Sequence, residues 1–110
     1  MKLHSPTFYC GSSTSDILEP MEYVYEKYIR PFDRKAFAVG CSMGGNILIN
    51  ALAILGSKSF IEAACVICVP MKMWEVEDHI LTSCYGLYNK SFGNTLKRII
   101  LENKEILKQN

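Results

Sequence analysis

Apolar and polar residues change period repeatedly along this chain, and each change marks an element. Met21, Val24, Tyr25, Tyr28 and Ile29 recur at helical spacing and form the single apolar stripe of a helix packed on one side. Pro31 stops that helix. Two starts fit it: Asp16 to Glu19 reads as a capping box, and Glu19 also serves as a cap with Pro20 in the first helical position. Lys35 to Val39 is short and apolar enough for a strand. Ile47, Leu48, Ala51, Leu52 and Leu55 return to helical spacing and end at Gly56, a residue type favoured just past a helix. Ala63 to Val69 is continuously apolar and closed by Pro70, the pattern of a strand buried on both faces of a parallel sheet. Beyond it the period weakens. Trp74 to Asn94 fits helix or loop, and Leu96, Ile99, Ile100, Ile106 and Leu107 form a last amphipathic helix.

Strand, helix and strand in this order make a βαβ unit, so the fold class is α/β with a mostly parallel sheet. At 110 residues the chain is at most one domain. Hydrophobic residues make up 49% and charged residues 21%, the balance of a globular protein with a core. A net charge of +1 and the lack of a basic run give no case for a nucleic-acid partner. No apolar run is long enough to span a bilayer, and Met1 to Pro6 lacks the apolar segment of a signal peptide. These features place the chain inside the cell.

The five cysteines are an odd number without a secretory signal, which argues against a disulfide framework. Cys65 and Cys68 have C-x-x-C spacing, but no second cysteine–histidine pair completes a zinc site. They read as small hydrophobes in a buried strand, and no metal is expected.

Candidate chemistry lies between the two predicted strands. Gly40-Cys41-Ser42-Met43-Gly44 is G-x-S-x-G, preceded by a strand pattern and followed by a helix pattern. That context describes a nucleophile elbow, a sharp turn that lifts a serine hydroxyl above a sheet. Gly40 and Gly44 read as the points where strand and helix come too close for a side chain. Ser42 is the candidate nucleophile, and the backbone N–H of Met43 is the candidate oxyanion donor. Asn46 reads as a partner for local backbone. Trp74 reads as a core anchor or an acyl-chain contact, and Tyr23, Tyr25 and Tyr28 as the partly exposed edge of a packed helix.

With these residues in view, Gly40-Cys41-Ser42-Met43-Gly44-Gly45-Asn46 resembles the elbow of one α/β-hydrolase branch. That branch comprises the YheT-type esterases and their eukaryotic phospholipase and acylglycerol-lipase relatives. Tyr9 to Asp16 is similar to the branch's approach to the preceding helix, and Ala63 to Pro70 to its next strand. The resemblance implies a serine hydrolase acting on carboxylic esters, lipid-like ones foremost, with a small-molecule ester or lipid as partner. It implies no organic cofactor or metal, and a cytoplasmic or peripherally membrane-associated location for the full-length protein.

In that family the triad acid and histidine lie far downstream of the serine. Asp78 and His79 are the only Asp and His after Ser42, and adjacent side chains are poorly placed to form a serine–base–acid relay. Residues 1–110 therefore read as a single partial α/β-hydrolase domain that lacks the N-terminal strands and the C-terminal acid and histidine. The alternative is a truncated, non-catalytic remnant acting through binding or structure.

Overall fold

The computed structural model describes Leu3, His4, Pro6 and residues 10–108. Tyr9 lies outside the described residues. The chain divides into two compact units, residues 9–71 and residues 1–8 with 72–110.

In the first unit, α1 spans Ser15–Val24 and carries Pro20 in its interior. Thr14, not Asp16 or Glu19, precedes it, and makes no side-chain capping bond. A π-helical turn, Tyr25–Ile29, and a 3₁₀ turn, Arg30–Phe32, continue it. The wider π turn changes which residues share a face. Met21, Tyr25 and Ile29 are half-buried, while Val24 and Tyr28 are exposed. The inward stripe is thus narrower than the spacing predicts. Tyr25 stacks on Phe60, with ring centroids 4.3 Å apart.

Strand β1 is Ala36–Cys41, helix α2 is Ser42–Leu55 and strand β2 is Ile61–Ile67. Gly56 follows α2 at φ 51°, a conformation that favours glycine. The strands pair in parallel from Ala36↔Ile61 to Cys41↔Ile67, with a register shift after Ala36. That shift leaves Glu62 between paired residues, and its carboxylate meets Lys35 Nζ at 3.4 Å. Along β1, half-buried or buried Ala36, Ala38 and Gly40 alternate with exposed Phe37, Val39 and Cys41. α2 packs against β1 and brings Ile47, Leu48 and Ala51, the buried hydrophobic residues among those described.

The expectation of strands buried on both faces is overturned. Phe37 and Val39 are 68% and 69% exposed, and β2 is exposed from Glu62 to Ile67. The sheet has only these two strands among the described residues, so apolar side chains suited to a larger sheet face solvent. Cys65 and Cys68, read as buried, are exposed for the same reason.

The second unit is helical. α3 spans Met73–Thr82, a kinked 3₁₀ turn covers Ser83–Gly86, and α4 spans Leu87–Glu102. Cys84 and Tyr85 carry positive φ at the kink. The predicted last helix is broken, because α5, Lys104–Leu107, starts anew after Asn103. Asn103, 6% exposed, donates from its side-chain amide to the Ile99 carbonyl at 2.8 Å and accepts the Leu3 N–H at 2.7 Å. This side-chain bond to a carbonyl one turn earlier competes with helical continuation.

Candidate functional site

Ser42 is the first residue of α2, directly after Cys41 in β1. Cys41 is extended, at φ −115° and ψ 141°, whereas Ser42 has φ 50° and is exposed. The chain therefore reverses within one residue, and a non-glycine residue in this conformation is strained by about 1 kcal/mol or more. The first-turn N–H groups of α2, that of Met43 among them, have no helical carbonyl one turn earlier. They lie beside the serine at the positive end of the helix dipole.

Close packing beneath this turn explains its glycines, with one correction. A Cβ built on Gly40 would lie 2.6 Å from the Gly45 Cα, and one on Gly45 would lie 3.0 Å from the Gly40 carbonyl oxygen. A Cβ on Gly44 meets nothing within 4 Å among the described residues. Crowding thus requires glycine at 40 and 45. The third residue of α2 points away from the strand, so Gly44 is not held by it.

Asn46 does not bond local backbone as its sequence position suggests; its side chain bonds Pro70 and Asn50. Its Nδ2 donates to the Pro70 carbonyl at 3.1 Å, and its Oδ1 accepts from Asn50 Nδ2 at 3.0 Å. No sequence signal marked the long-range bond, because it depends on where β2 ends relative to α2. Cys68, which follows β2, has φ 52° and was likewise missed.

His4, Asp78 and His79 belong to the second compact unit, with Asp78 and His79 exposed on α3. Residues 9–71 contain no histidine. Trp74 is 66% exposed, because the second unit offers it no core. Tyr23 and Tyr28 are exposed and flank Lys27, whose Nζ donates to the Tyr23 hydroxyl at 2.7 Å. The Cys10 sulfur shares hydrogen bonds with Ser12 Oγ at 2.9 Å and Ser13 Oγ at 3.5 Å. These bonds, that of Ser12 foremost, stabilise the thiolate and lower the thiol pKa to about 7. Beneath α1, a cavity of about 520 Å³ is lined by Ile17, Pro20, Met21 and Val24 with Phe37 and Val39, and Ser42 is not on its wall. Among the described residues no three His, Cys, Asp or Glu side chains gather to hold a metal ion. No helix of the described residues is long and apolar enough to cross a membrane.

Known proteins add a relationship to this geometry. The chain is 34% identical over 93 residues to an abhydrolase domain-containing protein of Dictyostelium discoideum, covering 83% of this chain and 23% of that protein. It is 39% identical over 69 residues to medium-chain fatty acid ethyl ester synthase/esterase 2 of Saccharomyces cerevisiae, covering 63% of this chain and 15% of that one. The chain is related to the α/β-hydrolases. Its strand–helix–strand unit is a part of such an α/β fold, and the matched segments span about a quarter of the first relative and less of the second. No protein-family model matches this α/β-hydrolase relative, and no solved structure matches it.

Proposed function

We propose that residues 1–110 form part of a single α/β-hydrolase domain whose nucleophile is Ser42. The supporting observation is the exposed serine at φ 50°, set between a strand and the donor-rich start of a helix. In this reading the junction is a nucleophile elbow, to which Gly40 and Gly44 also belong. A general base, which residues 9–71 do not supply as a histidine, takes the Ser42 hydroxyl proton as the oxygen attacks an ester carbonyl carbon, and the carbonyl electron pair moves onto oxygen. The Met43 N–H holds that oxyanion. Collapse of the tetrahedral intermediate expels the alcohol, which takes the proton back from the base, and water then releases the acid and restores the serine by the same proton transfers in the acyl-enzyme.

The substrate class we favour is a carboxylic ester with an aliphatic acyl chain, in keeping with the name of the yeast relative. The finer family reading is the YheT-type esterase and acylglycerol-lipase branch, on the strength of Gly40 to Asn46. A lipid-like ester and peripheral contact with a membrane surface follow from that reading.

A serine needs a base, and the unit that carries Ser42 contains no histidine. This favours a second reading for the chain by itself: a non-catalytic remnant acting through binding. The two readings separate on activity. The 110-residue chain should show negligible turnover of an activated short-chain ester and slow reaction with a fluorophosphonate probe, since losing a triad member costs orders of magnitude in rate. A version extended at both ends to the length of the relatives should hydrolyse the ester and lose that activity on Ser42→Ala. An inactive extended version would support the remnant reading, and Ser42-independent turnover would overturn the nucleophile assignment.

A further inference from the structure

We propose that Asn46 is a positioning residue for Ser42: its side-chain amide ties the segment leaving β2 to the helical turn that carries the serine, and so fixes one wall of the site. The functional half of this proposal rests on the reading of Ser42 as a nucleophile. The clamp itself rests on geometry.

Cys41 pairs with Ile67, so Ser42 and Cys68 are the next residues at the same end of adjacent parallel strands. Both have left-handed backbone, with φ 50° and φ 52°, and both are exposed. The two chains thus turn sharply at one level of the sheet. Beyond its turn, β2's extension crosses the start of α2. A Cβ on Gly45 would lie 2.4 Å from Val69 Cγ2, which places Val69 directly on the helix. One residue later the Pro70 carbonyl accepts the Asn46 amide at 3.1 Å. Proline has no N–H, so the carbonyl is the only backbone hydrogen-bonding group by which that residue can be tied down.

Asparagine suits the task because its amide has both a donor and an acceptor. Asn50 Nδ2 occupies Asn46 Oδ1 at 3.0 Å, which turns the donor end toward Pro70. An aspartate there would set a carboxylate against a carbonyl oxygen, and alanine would leave the carbonyl without its donor. Cys68, Val69 and Pro70 are therefore held at a fixed offset from Ser42 by one helical turn. That offset shapes the approach of an acyl group to the hydroxyl, and small misplacements of a reacting pair slow reactions steeply.

The test is Asn46→Asp, read by hydrogen exchange of the Cys68 and Val69 amides and by fluorophosphonate labelling of Ser42. At about pH 7.5 the new carboxylate should repel the Pro70 carbonyl and speed exchange at least fivefold over wild type at the same pH. Near pH 3.5, below the ordinary carboxyl pKa of about 3.9, the carboxyl regains an O–H donor. The ratio to wild type should then fall back toward one, a return that lost packing alone would not give. In a chain of the relatives' length, labelling of Ser42 should drop at least threefold at about pH 7.5 relative to wild type.

Unchanged exchange at about pH 7.5, or exchange that stays raised at low pH, would overturn the clamp whatever Ser42 does. Exchange that responds while Ser42 stays unlabelled in the wild type, even at the relatives' full length, would overturn the nucleophile reading and leave the clamp standing. If Asn46→Asp does not fold, Asn50→Ala serves instead. It frees the amide to flip and should raise Cys68 exchange about twofold, since it removes the orienting bond but leaves the donor. No rise there would overturn the proposal.

Discussion

A left-handed serine is a stored cost, and at Ser42 that cost is measurable. Ser42→Gly removes the Cβ that makes φ 50° unfavourable and should raise stability by about 1 kcal/mol. Ser42→Ala keeps the Cβ and should give no such gain in a urea titration. Cys10 offers a second residue-scale measurement. Its thiol pKa is lowered to about 7 by the Ser12 and Ser13 hydroxyls, so at neutral pH about half of it is thiolate, the nucleophilic form. Its alkylation rate should climb between about pH 6 and pH 8 and reach half its plateau near 7, while Ser12→Ala moves that midpoint upward. At this scale the strand-to-helix turn at Ser42 was legible, because its flanking pattern lies within ten residues of sequence. Asn46 and Cys68 were not, because their roles come from the Pro70 carbonyl and from the strand register, each set more than twenty positions away.

Among elements, the β1–α2 contact is the tightest joint and the most exacting about side chains. Gly40→Ala drives a methyl into the Gly45 backbone, which cannot swing aside, and should destabilise the chain by about 1–3 kcal/mol. Gly44→Ala has open space and should raise stability by about 0.5–1 kcal/mol through helix propensity. Equal losses at both positions in thermal melts would refute this assignment of the crowding. The sequence made strand, helix and strand readable because their periods differ and Gly56 and Pro70 punctuate them. It misjudged α1, where an interior Pro20 and a π turn move residues off the predicted stripe. The helix–loop ambiguity from Trp74 to Asn94 was real, since a left-handed kink at Cys84 and Tyr85 separates two helices there.

Over the whole chain, the buried apolar interior of the described residues consists of Ile47, Leu48 and Ala51. So small a core supplies little against the conformational entropy of ordering the chain. Phe37, Val39, Val66 and Ile67 remain exposed on two adjacent strands, a combination prone to association. Light scattering of the isolated chain should show mass rising with concentration, and its melt should be broad. A concentration-independent monomer with a sharp transition would contradict this. The fold class was legible from two strands and a helix, but the extent of the sheet was not, because continuous apolar runs state only that a strand expects neighbours.

The parallel pairing also bears on the chain's history during synthesis. Ile61 emerges 25 positions after its partner Ala36, and at about 5–20 residues per second this interval lasts between one and several seconds. Throughout it β1 has left the ribosome without its mate, presenting Phe37 and Val39 to the surrounding solution. α2 can form and dock in that window, since helices assemble within microseconds, but it covers only one side of the strand. The nascent strand thus stays open to non-native association until β2 arrives.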